Sequence, residues 1–382
     1  MSEAPLTSIR VLDLTRLLPG PYCSRIFADF GAEVIRIEPP SGGDWLRSAA
    51  QFEKSAGALF NALNRGKKSM TLDLKADEGK NVLIQLAGTA DVFFESFRPG
   101  VMDRLGLGHK ELKEENPRLI TCSLTGYGDE GSYRGRAGHD LNYIGLTGLL
   151  DLTGSSDSPP VIPATQVADI MGALWSTIGI LVSLLCRERI GEARQVSSSL
   201  LGAAIASLPV SWSRVMAGEP EARGQGDLIG GMVCYNVYET RDGRYITLAA
   251  LEPNFWNDFC MAAGVEDLLG DQLARAVPDE PVYERLKALF RSRTADEWQE
   301  LLAGVDACCE PVLSIKESTH ADPVMALGLI TEAGILPPVQ LSSTRGEEAA
   351  PAPDLGEHTI EVLIELGFSN EMIEGMRERG VI

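Results

Sequence analysis

Ile9-Arg10-Val11-Leu12-Asp13-Leu14, then Pro19-Gly20-Pro21, then Tyr22 to Phe30 and Glu33-Val34-Ile35-Arg36-Ile37: the fold class is decided here. Ile9 to Leu14 is apolar and β-branched enough for a strand. Pro19-Gly20-Pro21 breaks it, and Tyr22 to Phe30 reads as a helix closed by Gly31 in the position after the last turn. Glu33 to Ile37 makes a second strand. A strand-helix-strand unit of about 30 residues is the mark of a parallel sheet, because parallel strands need a crossover.

Working outward, Ser69 to Leu74, Asp91 to Phe94 and Leu119 to Leu124 offer three more strands, with a helix over Glu78 to Ala87. The first 190 residues therefore predict an open α/β domain, with ligands at the carboxyl ends of its strands. No G-x-G-x-x-G follows the first strand and no P-loop pattern occurs, so a dinucleotide cofactor is not indicated. Ile170 to Cys186 is a long apolar run, short of the roughly 20 residues a membrane span needs and bracketed by Asp169 and Arg187. It predicts a core helix with a stop at Gly191, and no membrane span.

Beyond the helix, Gln195 to Leu200 fits either a strand or a helix start, and 191–231 is expected to be a linker. Residues 232–320 predict a smaller α+β domain. Val233 to Glu239 and Tyr245 to Ala249 flank Asp242-Gly243 as a hairpin, and helices are expected over Phe255 to Ala263, Val282 to Phe290 and Ala295 to Leu302. Residues 321–334 read as a return linker, and the chain is Pro- and Gly-rich from Ile330 to Pro353. Two short helices, Glu357 to Leu366 and Asn370 to Arg377, lack an apolar face large enough to stand alone. The segment 335–382 is therefore expected to pack back on the 1–190 domain.

The formal charge of -20 argues against nucleic acid, which wants a basic face. Seven cysteines without CxxC spacing suggest reduced thiols and a cytoplasmic protein, with adjacent Cys308 and Cys309 as packing residues. The opening Met-Ser-Glu-Ala-Pro lacks the basic and apolar regions of a signal peptide.

Three residues stand out as chemistry. His139 lies in the run Gly138-His139-Asp140-Leu141-Asn142-Tyr143, and a histidine can move a proton near pH 7; the alternative is a loop histidine bonded to backbone. Asp169 heads the apolar helix, as a cap or as a base or nucleophile. Glu252, between a strand and a helix with Pro253 next, is either a helix-start acid or, with His139 and Asp169, a metal ligand. No metal-ligand spacing links the three. Basic residues meet turn formers at Asn64-Arg65-Gly66-Lys67-Lys68-Ser69 and at Glu95-Ser96-Phe97-Arg98-Pro99-Gly100, where a phosphate could be held.

Taken together, these segments resemble the family III CoA-transferase superfamily, which includes the 2-methylacyl-CoA racemases. The resemblance runs through Leu14 to Tyr22, Phe30 to Pro39, Asn64 to Asp73, Arg98 to Gly108, Val167-Ala168-Asp169 and Tyr235 to Phe255. In the transferases the aspartate matching Asp169 attacks the acyl-CoA, giving an anhydride and then an aspartyl-CoA thioester. In the racemases it is one of two bases, the other matching His139, with a glutamate matching Glu252 beside it. Gly138-His139-Asp140 and Leu251-Glu252-Pro253 look like the racemase versions. The resemblance implies a Rossmann-like large domain completed by the C-terminal tail, and an interlocked, obligate homodimer with its site shared between subunits. It also implies an acyl-CoA substrate bound through Arg36, Lys67, Arg98, Gly138 and Tyr143, with no cofactor besides that CoA. Enolate stabilisation is expected from a preorganised dipole, such as loop or helix-start N–H groups near Asp169. Departures at Pro39, Ile170-Met171 and Ser197 bear on which acyl group is accepted.

Overall fold

The computed structural model describes residues 4–48, 57–332, 334–341 and 350–382. These form two compact units, Met1–Thr147 with Thr165–Ser207 and Leu327–Ile382, and Gly148–Ala164 with Leu208–Ala326.

The first unit is built on a parallel sheet of six strands: β1 (Arg10–Leu14), β2 (Glu33–Glu38), β3 (Lys68–Thr71), β4 (Val92–Glu95), β5 (Ile120–Thr125) and β6 (Val196–Ser199). Their order is β3-β2-β1-β4-β5-β6. The opening stretch supplies its centre: Arg10 to Asp13 pair with Glu33 to Arg36 after the crossover helix α1 (Pro19–Asp29). The winding reverses between β1 and β4, so a crevice opens there at the carboxyl ends of the strands.

One face of the sheet is apolar. Leu12, Ile35, Met70 and Phe93 pack with Leu83 and Leu86 of α2 (Asp77–Thr89). Val362 and Ile373 of the tail helices Thr359–Glu365 and Asn370–Glu378 complete this cluster, each such side chain contributing about 1.5–3 kcal/mol on burial. The His358 N–H donates to the Ser69 carbonyl at 2.9 Å and the Asp73 N–H to Val381 at 2.8 Å, so the tail is bonded along β3. Residues 333 and 342–349 of the Pro- and Gly-rich tract lie outside the described residues.

The segment expected to be a linker carries structure. Val196–Ser199 is the sixth strand, and Ser199 also caps the helix Leu200–Ala206 by accepting from the Gly202 N–H at 3.1 Å. Both readings of Gln195 to Leu200 therefore apply, one after the other. Pro209–Met216 forms a further helix, started by a proline whose missing N–H costs nothing there. Gly148–Ala164, read as part of the large domain, groups with the second unit.

The apolar run becomes α4 (Val167–Ile190), 24 residues closed by Gly191 at φ 76°. By length and composition alone it could cross a membrane. Here one side lies on the sheet: a Cβ at Gly172 would stand 2.5 Å from Leu200 Cδ2, and one at Gly179 would stand 2.7 Å from Val196 Cγ1. Only glycine allows so close an approach. The other side is bare. Leu174, Trp175, Ile178, Leu181, Val182 and Leu185 are 37–54% exposed, so the expected core helix is covered along one stripe by the described residues.

The second unit has an antiparallel sheet, β7 (Tyr235–Glu239), β8 (Tyr245–Ala249) and a short β9 (Cys309–Pro311) that its three-residue length hid in the sequence. Helices Pro253–Ala263, Pro281–Phe290 and Ala295–Leu301 cover it. Tyr238, Trp256, Phe259, Phe290 and Trp298 form the core. Both buried indoles are satisfied, Trp256 by the Leu268 carbonyl and Trp298 by that of Phe290.

Candidate active site

His139 caps the start of α3 (Asp140–Leu146) with extended backbone, its N–H donating to Asn142 Oδ1 at 3.0 Å. The side chain is exposed. The loop before it is fixed by two tyrosines. Tyr143, 3% exposed, donates its hydroxyl to the Gly138 carbonyl at 2.8 Å and packs edge-on against Tyr127. A Cβ at Gly138 would meet the Tyr127 hydroxyl at 2.6 Å. Gly138 and Tyr143, expected to touch CoA, thus hold the histidine loop, and the Tyr143 hydroxyl is spent on that bond.

Asp169 lies in the first turn of α4. What ties it to His139 is a residue the sequence reading did not single out. Asp140 Oδ1 accepts from the Ala168 N–H at 2.7 Å and from the Asp169 N–H at 3.2 Å. The residue next to His139 therefore clamps the backbone of Asp169. Burial and then the nearby Asp140 charge push the Asp169 carboxyl up to about 7, and burial raises Asp140 as well. No sequence spacing announces this contact, because a carboxylate at the start of one helix caps another 28 residues away. The clamp engages the Ala168 and Asp169 N–H groups with a carboxylate, so these two are not free for an enolate. Among the described residues, the Asp140 and Leu141 N–H groups at the start of α3 have no acceptor.

In the second unit, Glu252 occupies the cap position of Pro253–Ala263 without making a capping bond. It is exposed, and among the described residues its carboxylate has no hydrogen-bond partner.

Two cavities open at the carboxyl ends of the strands. The larger, about 800 Å³, follows β1 to β3 and is lined by Thr15, Arg16, Glu38, Asp44, Trp45 and Lys75 among others. Arg16 and Lys75 are exposed and form no ion pair among the described residues. Arg16 and Lys75 both lie in the loops that follow β1 (ending at Leu14) and β3 (ending at Thr71), a signal the sequence contained. The smaller cavity, about 310 Å³, lies by β4 and β5, and Arg98 lines it together with Glu95, His109 and Asp129.

Of Arg36 and Lys67, expected to meet CoA, Arg36 lines the larger cavity while being almost fully buried, and Lys67 is turned inward. A strand buried on both faces cannot leave Asp13 unpaired. Arg36 bonds Asp13 at 3.1 Å and also Asp44, while Lys67 is shared among Asp13, Ser24, Asn64 and the Pro21 carbonyl. Burial would raise the Asp13 carboxyl, but Lys67 and Arg36 outweigh it and hold it below the usual range. These cations neutralise the sheet interior; the Lys67 ammonium is fully engaged, while Arg36 Nε has no hydrogen-bond partner among the described residues.

A doubly wound parallel sheet with cavities at its strand ends, in a chain that carries a separate α+β unit, defines a scaffold for small-molecule chemistry. The chain belongs to CoA-transferase family III, which it matches over residues 6–359. It is 37% identical over 378 residues to the alpha-methylacyl-CoA racemase of Mus musculus, covering 96% of this chain and 95% of that one. It is 32% identical to the succinyl-CoA:glutarate CoA-transferase of Mus musculus, covering 100% and 91%. A CAIB/BAIF family protein from Brucella suis has a similar structure, with a TM-score of 0.82, 30% identity and coverage of 96% and 100%. The family's members are enzymes, racemases and CoA-transferases among them.

Proposed function

We propose that this protein is a racemase or epimerase of 2-methylacyl-CoA or a related α-branched acyl-CoA, working by 1,1-proton transfer. The observation that carries the reading is the Asp140 clamp, which joins the backbone beside His139 to that of Asp169. One base removes the α-proton, and the C–H electrons pass to the thioester oxygen as an enolate. The other base returns a proton to the opposite face of the same carbon. A carboxyl pushed up to about 7 suits this task, since a base works best with its pKa near the operating pH. An enolate oxygen needs preorganised donors, and the unengaged N–H groups at the start of α3 supply them in this scheme.

CoA transfer through an aspartyl-CoA thioester at Asp169 is the alternative, supported by the transferases among the relatives. A carboxyl half-protonated at neutral pH favours proton transfer over attack. The nucleotide end of CoA is assigned to the 800 Å³ cavity, with Arg16 and Lys75 for its phosphates. No cofactor besides the CoA of the substrate is invoked, and the free thiols suit the cytoplasm.

The enzyme is further proposed to be an obligate homodimer, with the partner lying on the bare apolar side of α4. Glu252 of one subunit would stand by His139 of the other, fixing its tautomer. Incubating a branched acyl-CoA in D2O tests the reaction: α-deuterium with loss of stereochemistry is expected. Hydroxylamine trapping of an acyl group on Asp169, with no exchange, would establish transfer instead. Mixed dimers of His139→Ala and Glu252→Gln chains should regain activity if the site is shared, and their inactivity would put both residues in one subunit.

A further inference from the structure

The wall of the larger cavity is held by a residue that lies outside it. Gly42, Gly43, Asp44, Trp45 and Ser48 line the cavity; Arg47, in the same loop, turns away from it. Its guanidinium grips both oxygens of Glu38 at the end of β2, Nε to Oε1 at 2.8 Å and Nη2 to Oε2 at 2.7 Å. Nη1 donates to the Pro353 carbonyl at 3.0 Å, and the plane stacks on Phe60 at 3.8 Å.

Glu38 is shared with the rest of the wall. Its Oε1 also accepts from the Asp44 N–H at 3.0 Å, and its Oε2 from Ser69 Oγ at 2.8 Å. Ser69 Oγ in turn accepts from the Gly356 N–H at 3.0 Å. The seam is tight: a Cβ on Gly43, at φ +67°, would meet Leu355 Cδ1 at 2.8 Å and Glu38 Oε1 at 2.9 Å. Arg47 is 15% exposed and Glu38 only 2%, so the bidentate pair is largely dry, where it is strong and geometrically demanding.

We infer that Arg47 is a positioning residue for acyl-CoA, clamping the 42–48 wall between β2 and the 353–356 stretch so that the cavity is preformed for the nucleotide. The inference rests on the assignment of the CoA nucleotide to this cavity. A wall released from the clamp must be ordered on binding, and affinity falls by that cost. Proton transfer takes place at other residues and is untouched once substrate is bound.

The test uses the full-length enzyme. Arg47→Met should weaken CoA and 3′,5′-ADP by about tenfold or more in calorimetry. The KM for acyl-CoA should rise in parallel, with kcat within about twofold. Arg47→Lys, keeping one donor, should recover part of the affinity. Ser69→Ala removes the Glu38–Gly356 bridge and a long 3.5 Å bond from Arg47 Nη2 while leaving the Arg47–Glu38 pair, and serves if Arg47→Met folds poorly; its Kd should rise less, in the same direction. Unchanged Kd in Arg47→Met and Ser69→Ala, even with lowered thermal stability, would overturn the positioning role. So would a fall in kcat at constant KM. If the wild-type enzyme binds CoA but not 3′,5′-ADP, the nucleotide assignment itself fails.

Discussion

Asp13 and Asp169 are both carboxylates withdrawn from water in the same unit, and their surroundings push them opposite ways. Around Asp13 the sheet interior supplies Lys67, Arg36, Ser24 and Thr15, and the carboxyl stays ionised. Around Asp169 the charge that acts on it is another carboxylate, Asp140, and among the described residues no cation answers it; the carboxyl rises to about 7. Matched charge is how a parallel sheet tolerates an acid in its middle. Unmatched like charge is costly to keep, and such strain gathers where a group must gain and lose protons. In this fold the first pattern serves architecture, and the second is where the proposed mechanism puts its chemistry.

The largest effect should come from Asp169→Asn. Removing a general acid-base group typically costs 10²–10⁴-fold, so α-proton exchange followed by NMR in D2O should collapse while CoA affinity persists. A loss under tenfold would remove Asp169 from the reaction. Arg36→Met should break the other pattern, stranding Asp13 and Asp44. Urea unfolding should show a loss of about 3–5 kcal/mol; a loss below about 1 kcal/mol would mean that the network is dispensable.

The next effect is smaller and has the opposite sign. The folded-state pKa of Asp169 lies above its ordinary value of 3.8, so the folded protein binds that proton more tightly than the unfolded chain. Wild-type stability should therefore fall as pH rises from about 4 to about 7, and Asp169→Asn should escape the loss. Thermal melts should show the variant a few degrees higher at pH 8 and level with wild type at pH 4. Equal melting points at both values would deny the shift. Smallest of all, Asp140→Asn keeps an oxygen for the Ala168 and Asp169 N–H groups while removing the charge. The acid limb of the pH–rate profile should move down by less than about one unit, and an upward move would contradict the like-charge account.

The sheet was readable because Ile9 to Leu14 and Glu33 to Ile37 are rich in β-branched and other apolar residues around a helix followed by a glycine. β6 was obscured because Ser197, Ser198 and Ser199 suit a strand, a cap and a loop equally; only pairing with β5 decides. His139, Asp169 and Glu252 could be singled out as residue types in suggestive places. Asp140 could not, since its role depends on two helix starts meeting in space. Arg36 and Lys67 looked like ligand contacts for the converse reason: the acids that occupy them, Asp13 and Asp44, are distant in sequence or hidden in a strand.

The bond between Gly356 and Ser69 spans 287 residues. At about 5–20 residues per second of synthesis, roughly 15–60 seconds separate the emergence of β3 from that of the segment which covers it. During translation the nascent sheet thus waits with an open edge, a template for mispairing with a neighbouring polypeptide. The intervening second unit, with its own aromatic core, can fold meanwhile. Ribosome-bound chains halted before residue 350 should accordingly be protease-sensitive around β3 and protected in the later unit.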